Sequence, residues 1–181
     1  MRLFVGIPLA TTAVSELSAI LMRLRSRDDG LRWSASESWH ITLQFLGSTS
    51  QEQYACIVAQ LHELRSPPVS IQLDSLGLFD RAGIFFADAR PTPELAMLQH
   101  RVSAATTPCG FSAETRSFHP HITLARSKGK EGKRGLQRLQ ASSFSPHFSS
   151  FMAEYFFLYE SFTGPSGSHY EIRDRFRLQQ H

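Results

Sequence analysis

The tetrapeptide that decides the fold of this chain occurs twice, as His40-Ile41-Thr42-Leu43 and as His121-Ile122-Thr123-Leu124. In a β-strand the side chains of residues i and i+2 project from the same face. Each histidine therefore shares a face with its threonine, and the isoleucine and leucine pack into the core behind them. A predicted helix leads into each copy, over about 11–27 and 94–106. The sequence thus predicts two related halves whose motif strands face each other across a cleft.

The rest of the chain alternates predicted strands and helices. Besides the two motif strands and the two helices just named, we predict strands at 3–7, 69–73 and 84–87, a helix at 51–64, and a closing hairpin of 155–159 with 170–176. Because most of the strands alternate apolar and polar residues, antiparallel sheets in an α+β fold are favoured over a doubly wound parallel sheet. A chain of 181 residues can bury a large core. We expect residues 1–181 to form one domain of two interleaved lobes.

The charge of the chain is concentrated in one segment. The protein has 19 basic and 16 acidic side chains, a net charge of +3. Residues 126–138 hold six of the cations against one carboxylate, so this segment carries +5 and the rest of the chain −2. Three glycines in it predict mobility. Two interpretations stay open at this point: a solvated surface loop, and a loop that faces a phosphate.

The cysteine content excludes a disulfide scaffold and a zinc ribbon, since the chain has only Cys56 and Cys109, 53 positions apart. This pattern suggests a reducing cytoplasm, although it leaves one disulfide possible. Cys56 is interpreted as a small core residue. No stretch reaches the roughly 18 to 20 apolar residues of a membrane span, so a soluble protein is expected.

Two imidazoles and two hydroxyls facing each other suit the chemistry of a phosphodiester. One histidine removes a proton from the attacking oxygen, and the other delivers a proton to the leaving oxygen. The hydroxyls of Thr42 and Thr123 and a guanidinium can hold the non-bridging oxygens as charge develops. Arg126 lies three residues after Thr123, where its planar fork can reach the same phosphate.

The longer stretches 39–47 and 118–126, Trp-His-Ile-Thr-Leu-Gln-Phe-Leu-Gly and Phe-His-Pro-His-Ile-Thr-Leu-Ala-Arg, resemble the signature of the 2H phosphoesterase superfamily. Within it, the chain is most similar to the RNA 2′,3′-cyclic phosphodiesterases, also called 2′-5′ RNA ligases, over nearly its whole length. The resemblance implies a bilobal α+β fold, with two pseudo-twofold related antiparallel sheets, helices on the outer faces and a central cleft. It implies opening of a terminal 2′,3′-cyclic phosphate to a 2′-phosphomonoester and a free 3′-OH, without metal or other cofactor.

Carried over by position, the resemblance makes His40 the general acid and His121 the general base, although the pseudo-symmetry allows these roles to exchange. Thr42, Thr123 and Arg126 would bind the phosphate. The expected partner is RNA with 2′,3′-cyclic phosphate ends, tRNA fragments among them, or a cyclic nucleotide. No membrane partner is expected, and the protein is expected to be a cytoplasmic monomer.

Relatives often carry an aromatic and a basic residue in the turn after the third strand, where this chain has Phe79-Asp80-Arg81. Phe79 is a candidate for stacking on the terminal base, as are Phe85 and Phe86, against the alternative that all three are core residues. Arg81 is a candidate for contact with the phosphate or the ribose.

Three functional hypotheses stay open from the sequence. The first is hydrolysis of cyclic phosphate ends. The second is ligation, in which an RNA 5′-hydroxyl replaces water at the same residues. The third is binding of phosphorylated ends without catalysis, which the pair of imidazoles argues against. The neighbouring His119 suggests a metal pair with His121, but no third ligand accompanies it, so a supporting role is the better interpretation.

Overall fold

The computed structural model describes residues 1–26, 29–113, 117–141, 146–164 and 167–179. Its strands and helices follow in chain order: β1 Arg2–Pro8, α1 Thr11–Leu24, β2 Leu31–Trp33, β3 His40–Ser48, α2 Gln51–Glu63, β4 Val69–Ile71, β5 Leu73–Phe79, β6 Ile84–Ala89, α3 Pro93–Thr106, β7 His121–Ser127, α4 Gly129–Ala141, β8 Phe151–Ala153, β9 Tyr155–Gly164 and β10 Gly167–Arg177.

The strands form two four-stranded sheets and one small pair. The first sheet has the order β10-β9-β1-β3, the second β2-β7-β6-β5, and β4 pairs with β8. Every pairing in them is antiparallel. This confirms the predicted α+β class with antiparallel sheets. The closing hairpin, the motif strands and the helix at 51–63 are confirmed as well, the helix beginning with a capping box at Ser50.

The two motif strands differ in their place in the sheets, since β3 is an edge strand and β7 lies between β2 and β6. β3 pairs with β1, and β7 pairs with β6, each through the residues of its motif. The apolar residues behind each histidine are buried as predicted, with Ile41 and Ile122 both 0% exposed. The halves also interleave, because α3 packs against β3 of the first sheet.

Each motif strand carries a β-bulge at the same step. Gln44 pairs with Val5 and Thr42 with Gly6, so Leu43 is skipped. In β7 the pairing passes over Leu124 in the same way, between Ala125 and Thr123. A bulge shifts the alternation of faces by one residue. The side chain three positions after each threonine is therefore turned to the same face as that threonine.

Residues 129–138 of the basic segment belong to the helix α4, so the interpretation of this part as a loop was wrong. α4 packs against β2, β5 and β7. Its glycines are the reason, because Gly132 and Gly135 lie so close to the backbone carbonyls of Gly30 and Asp29 that a Cβ would collide with them. Leu136 completes this buried face. The cations of α4 project from its opposite side into solvent.

Smaller differences concern the ends of elements and short strands. α1 ends at Leu24 rather than at residue 27, because Arg25 is extended; residues 27 and 28 lie outside the described part. The short strands β2 and β8 were not predicted, and the predicted strand 69–73 is divided between β4 and β5.

Cys56 and Cys109 are joined by a disulfide, which corrects the interpretation of Cys56 as a core thiol. α2 and the turn after α3 meet at this point, where the Gln53 side chain donates a hydrogen bond to the carbonyl of Cys109. Among the described residues, no helix is long and apolar enough to cross a membrane.

Candidate active site

A cleft of about 490 Å³ lies between the two sheets, where β3 and β7 approach each other. Five predicted residues line it together: His40, Thr42, His121, Thr123 and Arg126. The cleft therefore joins both motifs in one site, as the repeated tetrapeptide predicts. Its far wall comes from the hairpin of β9 and β10, with Ser161, Thr163, Ser168 and Tyr170.

The two imidazoles are held by equivalent hydrogen bonds, each to the carbonyl oxygen two residues earlier in the chain. The Nδ1 atom of His40 lies 2.7 Å from the carbonyl oxygen of Ser38, and Nδ1 of His121 lies 2.8 Å from that of His119. A carbonyl only accepts, so each Nδ1 carries the proton and donates. The Nε2 atom of each neutral ring then carries the free lone pair. Two strands thus present the same tautomer to one cleft.

The ring of His40 is enclosed by uncharged aromatic side chains. Phe4 lies 4.5 Å from it between ring centroids, Tyr170 5.2 Å and Tyr159 5.6 Å. Burial raises the pKa of Tyr159, so its phenol stays neutral beside the imidazole. Gly6 leaves the space for this ring, since a Cβ there would lie 3.3 Å from Cδ2 of His40.

The ring of His121 has a charged neighbourhood in addition to aromatic contacts. Phe79 and Phe86 lie 5.0 and 5.4 Å from it. His119, whose carbonyl holds His121, makes a 2.9 Å contact from its own Nε2 to a carboxylate oxygen of Asp88. Asp88 is also the residue directly opposite His121 in the register of β6 and β7. His119 therefore has a supporting place beside His121.

These surroundings set the proton affinities of the two histidines. Burial, joined by the charge of His121, lowers the pKa of His40 from 6.5 to about 4, against the hydrogen bond to Ser38. Burial also lowers the pKa of His121, opposed by the carbonyl of His119 and the charge of Asp88. The charge of His121 thus acts on His40 within the cleft that both residues line.

The bulges explain how Arg126 reaches the cleft and reveal a residue that sequence reasoning missed. Counting from each histidine, Phe45 in β3 occupies the place of Arg126 in β7, and both line the cleft. Phe45 is 71% exposed, a large apolar ring at the mouth of a polar cleft. Aligning the two tetrapeptides and continuing past them pairs these positions, so a signal was present in the sequence.

The two candidates from the turn after β5 lie in different places. Phe79 lines the cleft, but one face of its ring stacks on Phe86 at 4.1 Å. Phe85 and Phe86 are buried, 3% and 5% exposed, as the core alternative holds. Arg81 is exposed in the short turn 80–82 and is not among the residues that line the cleft. In the described part of the chain, no three His, Cys, Asp or Glu residues are grouped to hold a metal ion.

Two strands that each carry a His-x-Thr motif, and that meet in a cleft between antiparallel sheets, define the class of the 2H phosphoesterases. A sequence match to the 2'-5' RNA ligase superfamily covers residues 13–150, and the chain belongs to this family.

Individual relatives agree with this placement. The chain is 30% identical over 133 residues to the RNA 2',3'-cyclic phosphodiesterase of Archaeoglobus fulgidus, which covers 72% of this chain and 74% of the relative. It is 36% identical over 107 residues to the protein of the same name from Aeropyrum pernix, covering 57% of this chain and 61% of that one. With the Geobacillus stearothermophilus relative, the match spans 41% of the relative's length.

Two solved structures match over nearly the whole chain. Escherichia coli LigT complexed with 3'-AMP superposes with a TM-score of 0.83 at 26% identity, covering 99% of this chain and 98% of LigT. The Thermus thermophilus protein TT0787 superposes with a TM-score of 0.81 at 24% identity, covering 98% of each chain. The likeness to TT0787 concerns the fold alone. This fold agrees with the expected bilobal architecture with a central cleft.

Proposed function

We propose that the protein is a hydrolase that opens the terminal 2′,3′-cyclic phosphate of RNA to a 2′-phosphomonoester and a 3′-OH. The observation that carries this proposal is the pair of imidazoles in one cleft, each with Nδ1 held by a carbonyl and Nε2 free. The names of the curated relatives support the same substrate.

In the proposed mechanism, water attacks phosphorus as the bond from phosphorus to O3′ breaks. Nε2 of His121 takes the proton of the water, and protonated His40 gives its proton to the departing O3′. The hydroxyls of Thr42 and Thr123 and the guanidinium of Arg126 bind the non-bridging oxygens, whose charge grows in the transition state. Each positioned acid or base contributes about 10²–10⁴-fold to such a reaction.

The lowered pKa of His40 bears on its proposed role as the acid. Without a bound anion this ring is neutral near pH 7, since its pKa is about 4. A phosphate anion bound between the rings favours the protonated form of both. Protonation of the acid is therefore expected to accompany substrate binding. The assignment of His40 as acid and His121 as base comes from the family resemblance.

For the nucleobase, the exposed ring of Phe45 offers more free surface than the half-buried ring of Phe79. Base stacking on an aromatic side chain is worth about 1–3 kcal/mol. We propose Phe45 as the main stacking surface, and the contact predicted for Phe79 becomes a second, smaller one. Arg81 does not line the cleft, so it would have to reach the ribose from outside the cleft.

Residues 1–181 are proposed to act as one domain of two interleaved lobes, which the packing of α3 on β3 supports. We further propose a monomer that acts on RNA ends, tRNA fragments among them. The cytoplasm is the proposed compartment, since such ends arise on cellular RNA. A disulfide joins Cys56 and Cys109 in the structure, whereas the cytoplasm keeps thiols reduced, so the proposed compartment predicts two free thiols in the cell. Alkylation of the denatured protein, isolated from freshly lysed cells, counts these thiols.

The decisive experiment follows turnover of a short RNA with a 2′,3′-cyclic phosphate end, with excess chelator present. We expect a 2′-phosphomonoester as the product and undiminished activity in the chelator. Complete loss of turnover in the chelator, or tight binding with no product over hours, would contradict the proposal. Adding an RNA with a 5′-OH end to the same assay measures ligation, which would use the same residues.

A further inference from the structure

A second arginine lies beside the phosphate-binding arginine of the cleft. Arg32 of β2 is directly opposite Arg126 of β7 in the register of these antiparallel strands. Directly opposed residues have Cα atoms about 4.5–5.5 Å apart, and their side chains share one face of the sheet. Both side chains are exposed. The sheet therefore holds two guanidinium groups next to each other.

The face that the two arginines share is the cleft face. Arg126 is opposite Ile84 of β6, and Ile84 is opposite Phe79 of β5, which together make one row across the sheet. Arg126, Ile84 and Phe79 all line the cleft. Arg32 is the outermost member of this row, at the edge of the sheet, and lies next to the lining without being part of it.

The neighbours of Arg32 in β2 agree with this orientation. Trp33 points to the other face, where its ring packs against buried Phe85 and its Nε1 donates a 2.9 Å hydrogen bond to the carboxylate of Asp29. Ser34, two residues after Arg32, lines the cleft. The strand is therefore held from its core side, and Arg32 is turned to the open side by alternation.

The hairpin of the first sheet closes over the same place. A Cβ on Gly167, at the start of β10, would lie 3.6 Å from Cδ of Arg32. The stem of Arg32 thus runs along the hairpin, at the end of the cleft where Thr163 and Ser168 also line it. A chain that leaves the cleft at this end would pass the Arg32 guanidinium.

Two like charges directly opposite each other destabilise a sheet. Among the residues that the structure describes, neither Arg32 nor Arg126 has a carboxylate in salt-bridge contact. Two adjacent anions would compensate this pair, one for each guanidinium. An RNA strand supplies consecutive phosphates at such close spacing, whereas a mononucleotide supplies one.

We infer that Arg32 binds the phosphodiester on the 5′ side of the terminal nucleotide, while Arg126 binds the cyclic phosphate itself. This inference rests on the proposed function and adds a substrate class to it. The preferred substrate is an RNA of at least two nucleotides, and a mononucleotide 2′,3′-cyclic phosphate leaves Arg32 unoccupied.

The test compares two substrates, a nucleoside 2′,3′-cyclic phosphate and a dinucleotide that ends in a 2′,3′-cyclic phosphate. In Arg32→Gln, kcat/KM for the dinucleotide should fall about 10-fold, and that for the mononucleotide should stay at the wild-type value. The slope of log kcat/KM against log salt for the dinucleotide should become shallower by about 1. Arg126→Gln should lose activity on both substrates.

The matched control is Arg177→Gln, which removes an exposed charge at the end of β10, away from the cleft, and should change neither substrate. Equal losses on both substrates in Arg32→Gln, or no loss on the dinucleotide, would overturn the inference. Equilibrium binding of the dinucleotide with a 2′-phosphate end separates this inference from the proposed function. If the wild-type protein shows no turnover, the proposed function is refuted. If Arg32→Gln then weakens binding of the dinucleotide but not of the mononucleotide, the role inferred for Arg32 is still supported.

Discussion

The two motif strands are alike in backbone and unlike in what surrounds their histidines. β3 and β7 share the burial pattern of the tetrapeptide, the bulge at the leucine and the hydrogen bond from Nδ1 to the carbonyl two residues earlier. Around His40 the partners are uncharged aromatic rings, whereas His121 lies beside the 2.9 Å contact between His119 and the carboxylate of Asp88.

The difference shows how a duplicated scaffold acquires two functions. The shared backbone places two equivalent nitrogen atoms in one cleft, and the surroundings then separate their proton affinities. Desolvation acts on both rings, but only His121 has a carboxylate that opposes it. In-line displacement needs one acid and one base, so unequal surroundings on an equal frame suit the proposed reaction.

Removal of either imidazole is expected to have the largest effect. His40→Ala and His121→Ala should each lower kcat about 10²–10⁴-fold, because each removes one positioned proton donor or acceptor. Single-turnover assays on a cyclic-phosphate end measure this loss. His100→Ala, on the exposed side of α3, is the control and should keep full activity. A wild-type rate in either motif variant would show that the strands are not equivalent partners in catalysis.

The threonines come next. Thr42→Val and Thr123→Val keep the shape of the side chain and remove the hydroxyl that binds the phosphate, so each should lower kcat about 10²-fold. Since the two strands present these hydroxyls in the same way, we expect losses of similar size. Thr12→Val, at an exposed position of α1, serves as the control. An effect from only one of the two would show that the phosphate binds to one strand.

The positions after the two bulges should separate base binding from phosphate binding. Phe45→Ala is expected to raise KM for a nucleoside 2′,3′-cyclic phosphate about 10-fold with little change in kcat, because stacking is lost and the reacting groups stay. Phe45→Trp should restore binding. The control Ile172→Ala trims another exposed apolar residue, on β10. If Phe79→Ala raised KM more than Phe45→Ala, the stacking surface would be Phe79.

Each motif strand is followed by a helix, and these two helices differ in how they pack. α2 carries a capping box, whereas α4 places glycines against the backbone of residues 29 and 30. Gly135→Ala should lower the free energy of unfolding by about 1–3 kcal/mol, because its Cβ would collide with the carbonyl of Asp29. Urea unfolding measures this change. Lys133→Ala, exposed on the same helix, should change it by less than about 0.5 kcal/mol, and a neutral Gly135→Ala would argue for a loop.

The features of the site that depend on the local pattern of residues could be predicted from the sequence. The repeated tetrapeptide was sufficient for the strand faces, the buried isoleucines and the meeting of His40 with His121. What it did not show depends on contacts between distant segments. The helical state of 129–141 comes from Gly132 and Gly135 fitting against residues 29 and 30, which composition alone presents as a flexible basic loop. The pairing of Cys56 with Cys109 likewise depends on how α2 meets the turn after α3.

Asp88→Asn is expected to have the smallest effect, and it tests which histidine is the acid. The carboxylate of Asp88 raises the pKa of His121, against the charges of His119 and Arg126. Its removal therefore lowers the affinity of His121 for a proton and leaves the surroundings of His40 unchanged. The reaction needs one of the two histidines protonated and the other neutral. In the productive form of the enzyme the acid carries this proton and the base is neutral.

If His121 is the base, Asp88→Asn shifts the proton of the singly protonated enzyme from His121 to His40, which is the productive form. The maximum of kcat/KM against pH should then stay the same or rise by less than about 10-fold. If His121 is the acid, the same change moves the proton off the residue that must donate it, and the maximum should fall. Asp74→Asn, an exposed carboxylate paired with Arg90, controls for loss of one negative charge. A fall with Asp88→Asn alone would exchange the two roles and make the aromatic site of His40 the base, consistent with its pKa of about 4.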